Sequence, residues 1–162
     1  MNEKKLSTGD EAPDFCLLNQ DEQEICLKTF QGKNVILYFY PRDNTPGCSL
    51  EAMTFTKYKE EFEKHNTIIL GISKDSCQSH HRFIEKKNLN ITLISDPEKE
   101  IHKKYGVWRM KKFMGKESLG TIRSTFLINE QGIIVHIWDN VRVKGHVESV
   151  LEEVKKKMKK WN

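Results

Sequence analysis

Asn34-Val35-Ile36-Leu37-Tyr38-Phe39-Tyr40, followed by Pro41-Arg42-Asp43-Asn44-Thr45-Pro46-Gly47-Cys48, is the stretch on which the fold turns. The first seven residues are almost all apolar. A strand covered on both faces reads this way, because neither side needs to meet water. Thr45 is a good helix N-cap, and Pro46 suits the first helical position. Ala52, Phe55, Tyr58 and Phe62 then recur at helical spacing, so a helix is expected from about residue 46 to 64. Cys48 therefore belongs to the first turn of a helix that leaves the carboxyl end of a buried strand. Open α/β sheets place their sites at that edge.

Working outward, Thr67–Ile72 reads as a second buried strand, and residues 76–87 as a helix with Phe83 and Ile84 on its core face. Thr92–Ser95 reads as a short strand. Asp96 and Pro97 suit the start of a short helix and Gly106 its stop. Upstream, Asp14–Leu27 reads as a hairpin with a polar tip at residues 19–24. Downstream, Ser124–Asn129 and Ile133–Trp138 flank Glu130-Gln131-Gly132, a second hairpin signal. A C-terminal helix closes the chain. This order predicts an α/β fold, a thioredoxin-like sandwich with a mixed central sheet and helices on both faces. At 162 residues, one domain spanning 1–162 is expected.

Apolar residues make up 37% and charged residues 31% of the chain, a globular composition. Residues 1–10 lack an apolar segment of the signal-peptide type, and no apolar run is long enough to span a bilayer. A cytoplasmic location is expected. The net charge of +4 owes much to Lys155, Lys156, Lys157, Lys159 and Lys160. Val147, Val150, Leu151, Val154, Met158 and Trp161 recur at helical spacing among them, so the lysines read as the wet face of an amphipathic helix. Neither nucleic acid nor a membrane is expected as a partner.

Four cysteines occur, Cys16, Cys26, Cys48 and Cys77. In a cytoplasmic protein their default state is reduced. Most cysteines are small buried apolar residues. Cys48 stands apart through its position, because unpaired N–H groups and the positive end of a helix dipole favour a thiolate.

The spacing Pro41-x-x-x-Thr45-x-x-Cys48 resembles the active-site motif of the peroxiredoxins. Phe39-Tyr40-Pro41 with Thr45-Pro46-Gly47-Cys48 is similar to the branch of the bacterioferritin comigratory proteins, or peroxiredoxins Q. Further strings resemble that branch in the same order: Ala12-Pro13-Asp14-Phe15, then residues 71–76 with Ser79-His80, then residues 120–128. The resemblance implies a thiol-dependent peroxidase that reduces hydrogen peroxide and organic hydroperoxides. It implies that Cys48 is the peroxidatic nucleophile and becomes a sulfenic acid. The Thr45 hydroxyl would hydrogen-bond the thiolate and the incoming peroxide, and Pro41 would shield the thiol from water. Arg123 would favour the thiolate and polarise the peroxide. Thioredoxin or a similar thiol reductant would restore Cys48, the protein would be a monomer, and no haem, flavin or metal cofactor is implied.

The chain departs from the branch in its resolving thiol. The position five residues after Cys48 is Met53, and the alternative position corresponds to about Ile84. Cys77 is the candidate that remains, two helical turns before Ile84 and at the same sheet edge as Cys48; the alternative is an incidental helix-start cysteine and a one-cysteine mechanism completed by an external thiol. Cys16 and Cys26 occupy opposite arms of the first hairpin, and adjacent reduced thiols are expected there. The six histidines show no metal spacing; His80 and His81 would point about 100° apart on a helix.

Two other readings share the fold. A thiol–disulfide oxidoreductase needs a Cys-x-x-Cys pair, and Thr45 and Glu51 occupy the partner positions. A non-catalytic redox sensor has no need of Thr45 and Arg123 together with Cys48.

Overall fold

The computed structural model describes residues 5–157. Strands β1 (Cys16–Leu18) and β2 (Glu24–Cys26) form the expected first hairpin, and a 3-10 turn (Leu27–Phe30) leads into β3 (Asn34–Phe39). Helix α1 (Pro46–Glu63), β4 (Thr67–Ser73), α2 (Cys77–Lys87), β5 (Thr92–Ser95) and the short α3 (Glu100–Lys104) follow. Then come β6 (Trp108–Phe113), β7 (Lys116–Thr121), β8 (Ser124–Ile128), β9 (Ile134–Trp138) and α4 (His146–Lys157). The central sheet has the order β5-β4-β3-β8-β9. β3 pairs parallel to β4 and antiparallel to β8, so the sheet is mixed.

The fully apolar strand sits in the middle, as its composition requires. All six residues of β3 are buried, and period-2 alternation divides them between two cores. Ile36, Tyr38 and Tyr40 pack with Phe55 and Phe62 of α1, Phe83 of α2, and Val147, Val150, Leu151 and Val154 of α4. Val35, Leu37 and Phe39 pack with Ile101 and Tyr105 at α3, and with Phe15 and Leu27 of the N-terminal segment. Helices therefore cover both faces. The amphipathic reading of α4 holds through Val154, while Met158, Lys159, Lys160 and Trp161 lie outside the described residues. Among the described residues, no helix is long and apolar enough to cross a membrane.

Three local expectations are corrected. The short helix starts at Glu100 rather than at Asp96-Pro97. Asp96 instead turns its carboxylate to His102, accepting from the backbone N–H at 2.9 Å and lying 2.7 Å from Nδ1. Burial would raise the Asp96 carboxyl, but the bonds from His102 hold it below its usual range. The β6–β7 hairpin was not foreseen, because Lys and Arg interrupt the apolar pattern of β6. The expected strand at Ser124–Asn129 is present as β8 (Ser124–Ile128), and Arg123 stands in the break between it and β7, which ends at Thr121.

The third correction concerns Cys16 and Cys26, which are joined in a disulfide rather than held as adjacent thiols. The register of β1 and β2 sets them directly opposite, with Cα atoms 4.0 Å apart. That is the close spacing of a pair without mutual backbone hydrogen bonds. The reduced expectation rested on compartment, whereas the pairing is decided by register.

Candidate active site

Cys48 occupies the first turn of α1, with Pro46 as the first helical residue and Thr45 at the N-cap in extended conformation. The residue is 2% exposed. Arg123 comes from the β7–β8 break, 75 residues away, and its Nη2 donates to Cys48 Sγ at 3.3 Å. The close approach depends on Gly47. A Cβ there would stand 3.3 Å from Arg123 Nη2, tight against the guanidinium.

Glu51, one turn beyond Cys48 on the same helix face, accepts from Arg123 Nη1 at 2.5 Å. Burial pushes the Glu51 carboxyl up to about 7, against the opposing pull of Arg123. Arg123 is itself held above the usual guanidinium range: the charges of Glu51 and Cys48 outweigh its burial. His146, at the start of α4, bonds Thr125 Oγ1 through Nε2 at 2.8 Å. Burial, then the charge of Arg123, lower it to about 4. It therefore stays neutral near pH 7 and adds no second cation beside Arg123. Glu51 was not foreseen as a site residue. The available signal was its i+3 spacing from Cys48, which only means something once Arg123 is known to reach that face.

The loop before α1 is tied down by a buried polar network. The Asp43 carboxylate accepts from Tyr40 OH at 2.6 Å and from Ser79 Oγ at 2.7 Å, and lies 2.8 Å from His80 Nδ1. His80 Nε2 is 3.0 Å from the Ile94 carbonyl oxygen. Both ring nitrogens thus lie within hydrogen-bond distance of an oxygen, which fixes the ring between the loop and β5. The backbone N–H of Asp43 donates to Asp75 Oδ2 at 2.8 Å. His80, dismissed as a metal ligand on sequence spacing, thus anchors the loop that presents Cys48. The signal was the string containing Ser79-His80, whose chemistry was not read.

Pro41 is half-buried, and its carbonyl accepts from Lys74 Nζ at 3.3 Å. The Thr45 hydroxyl donates to the Arg42 carbonyl at 3.0 Å, rather than to Cys48, and makes no cap bond to the helix. Its oxygen lone pairs remain available as acceptors. Cys77 is the first residue of α2, beyond the Ser76 cap. Burial and the charge of Glu22 push its thiol up, with Ser95 opposing. Cys48 and Cys77 are both free thiols, the first buried and the second half-buried.

The arrangement can hold a thiolate and the negative charge that develops when an O–O bond is cleaved. Arg123 and the helix N-terminus are positive groups fixed before reaction. The thioredoxin-like sheet with a cysteine at this edge defines a class of thiol enzymes, and comparison with known proteins narrows it. Residues 8–137 match the AhpC/TSA family. The "Putative peroxiredoxin bcp" of Helicobacter pylori strain J99 is 48% identical over 151 residues, 93% of this chain and 99% of that one. "Peroxiredoxin Bcp" of Bacillus subtilis is 40% identical over 150 residues, 93% and 96% of the two chains. A solved structure of the Xanthomonas campestris bacterioferritin comigratory protein superposes with a TM-score of 0.84 at 35% identity, covering 88% and 90%. The chain belongs to the AhpC/TSA family and, within it, to the Bcp peroxiredoxins, which are thiol-dependent peroxidases.

Proposed function

We propose that Cys48 is the peroxidatic nucleophile, and that the observation carrying this role is the Arg123 Nη2 to Cys48 Sγ contact at 3.3 Å. The thiolate attacks one peroxide oxygen, the O–O bond breaks, and water or an alcohol leaves while Cys48 becomes a sulfenic acid. Arg123 stabilises the thiolate and then the departing oxygen. The Thr45 oxygen accepts from the incoming hydroperoxide O–H, and Pro41 limits water at the sulfur. Hydrogen peroxide and organic hydroperoxides are the substrates. The Xanthomonas relative is described as having alkyl peroxide reduction activity. Cys77 is the resolving thiol, and thioredoxin or another dithiol donor restores the reduced enzyme. The whole chain acts as one domain, as a monomer, in the cytoplasm.

The test is peroxide consumption by the reduced protein. Cys48→Ser abolishes it, because a hydroxyl cannot replace a thiolate in attack on the O–O bond. Substantial turnover by that variant would overturn the assignment.

A further inference from the structure

A cleft of about 620 Å³ lies between the β1–β2 hairpin, the start of α2 and the end of β5, and neither Arg123 nor Glu51 lines it. Its lining includes Cys16, Glu24, Ser76, Cys77 and Ser95. The hairpin is seated there by the Asn19–Ile94 bridge and by Gln20 Oε1, which accepts from Leu93 N–H at 3.1 Å. One free thiol and one disulfide thus share a cavity. Cys16 is exposed, and Cys26 and Cys77 are half-buried. The Glu24 carboxylate is within 4.8 Å of both sulfurs of the pair.

The geometry points to Cys16 and Cys26 as a second redox centre, a dithiol that takes the oxidation from Cys48 through Cys77 and is itself reduced by an external dithiol. The inference rests on Cys48 as the peroxidatic cysteine and Cys77 as its resolving thiol. Condensation of the Cys48 sulfenic acid with the Cys77 thiol gives a Cys48–Cys77 disulfide and water. The Cys16 thiolate attacks Cys77 Sγ, and the electron pair of the broken S–S bond leaves on Cys48. Cys26 then attacks Cys16 Sγ, which closes the Cys16–Cys26 disulfide and releases Cys77. The two protons lost by Cys16 and Cys26 end on Cys48 and Cys77, and two electrons have left the hairpin pair. The state seen here, with Cys48 and Cys77 free and Cys16–Cys26 joined, is the product of that sequence. An exposed disulfide on a sheet-edge hairpin is open to a reducing partner.

The experiment begins with fully reduced protein, one equivalent of hydrogen peroxide, rapid alkylation and peptide mapping. In the wild type, one Cys16–Cys26 disulfide forms per peroxide. In Cys77→Ser it forms on the order of 10²-fold more slowly while dimedone-reactive Cys48 accumulates, and in Cys48→Ser it does not form. Cys26→Ala traps a Cys16–Cys77 linked peptide. A wild-type protein whose Cys48 is oxidised while Cys16 and Cys26 stay reduced would overturn the relay and leave the peroxidatic role intact. Pair formation at equal rates in wild type and Cys77→Ser would also overturn it. No oxidation of Cys48 at all would instead overturn the underlying function.

Discussion

Arg123 lies across the first turn of α1 so that Glu51 holds one end of its guanidinium while the other meets Cys48 Sγ at 3.3 Å. Glu51 has 0% exposure, and its Oε2 has no partner. A buried carboxylate held at one oxygen is there to aim the arginine. Glu51→Ala should lower the single-turnover rate with peroxide by about 10- to 100-fold, because a misplaced donor no longer meets the developing charge. Glu51→Gln keeps an acceptor for Arg123 and should recover most of that rate. Stopped-flow measurement on both variants separates aiming from charge, and equal losses in the two would argue that charge matters more than aim.

Removing the arginine itself should have the larger effect. Arg123→Ala should slow peroxide reduction by on the order of 10²-fold or more. It should also reduce iodoacetamide alkylation of Cys48 at pH 6, since less thiolate is present. Arg123→Lys should rescue little, because one ammonium cannot bridge Glu51 and sulfur as a planar fork does. Unchanged peroxide and alkylation rates would show that Arg123 serves structure alone.

Gly47 gives a test in which stability and activity part company. A methyl group there meets the guanidinium at 3.3 Å and Val143 Cγ2 at 3.9 Å. The backbone is in no way strained against it, and alanine favours a helix over glycine by about 0.5–1 kcal/mol. Gly47→Ala should therefore leave thermal stability unchanged or slightly higher. The rate with peroxide should still fall several-fold as Arg123 is displaced from sulfur. An unaltered rate would mean that the guanidinium yields without consequence.

Much of this was legible before any coordinates. The run at 34–40 gave the central strand, and Thr45-Pro46 placed the helix start to the residue. Gly106 marked the stop of the short helix and takes the left-handed conformation at φ +70°, while Ser76, read as helical, is the cap one residue before α2. What escaped depended on which distant segments meet. Glu51 gains meaning only from Arg123, and Asp43 only from His80 across 37 residues. The Cys16–Cys26 bond needed the strand register, which hairpin composition does not supply. The β6–β7 hairpin escaped because exposed Met110, Phe113, Met114 and Leu119 are interleaved with charge, without a buried face to impose period 2.

Glu51 and His146 should give opposing pH dependences. Folding raises Glu51 from 4.5 to about 7, so between those values the native state holds a proton that the unfolded chain has released. The penalty for its burial is therefore full above pH 7 and fades as pH falls. Folding lowers His146 from 6.5 to about 4, so there the unfolded chain holds the extra proton and stability is lost on acidification. Each contribution is at most about 3 kcal/mol, with opposite sign. Relative to wild type, Glu51→Gln should lose stability as pH falls from 6.5 to 5, whereas His146→Gln should gain it. Urea midpoints across that range are the measurement, and parallel curves for all three proteins would contradict the assignment.

The Asp43–His80 pair should control how readily the catalytic loop opens. The pair is buried, with His80 at 0% and Asp43 at 8% exposure. Tyr40, whose hydroxyl burial and the Asp43 charge hold well above its ordinary range, remains a donor to the carboxylate. Asp43→Asn removes the negative charge while the His80 ring still faces the Ile94 carbonyl. Buried polar groups of Tyr40, Ser79 and His80 then lose a charged acceptor, at a cost of about 1–3 kcal/mol for each group left unsatisfied. The same bonds join the Cys48 loop to the start of α2, through Ser79 and through Asp75. Cys48 and Cys77 are free thiols here, and a disulfide between them requires Cα atoms within about 7 Å, so looser ties should favour their approach. Asp43→Asn should therefore lower the urea midpoint and speed amide exchange over residues 42–50. If Cys77 resolves Cys48, it should also accelerate the step from sulfenic acid to disulfide after one equivalent of peroxide, despite the lower stability. Faster exchange without faster disulfide formation would place the barrier in the movement of Cys77 instead. Protection and rates equal to wild type would mean that the network does not govern the loop.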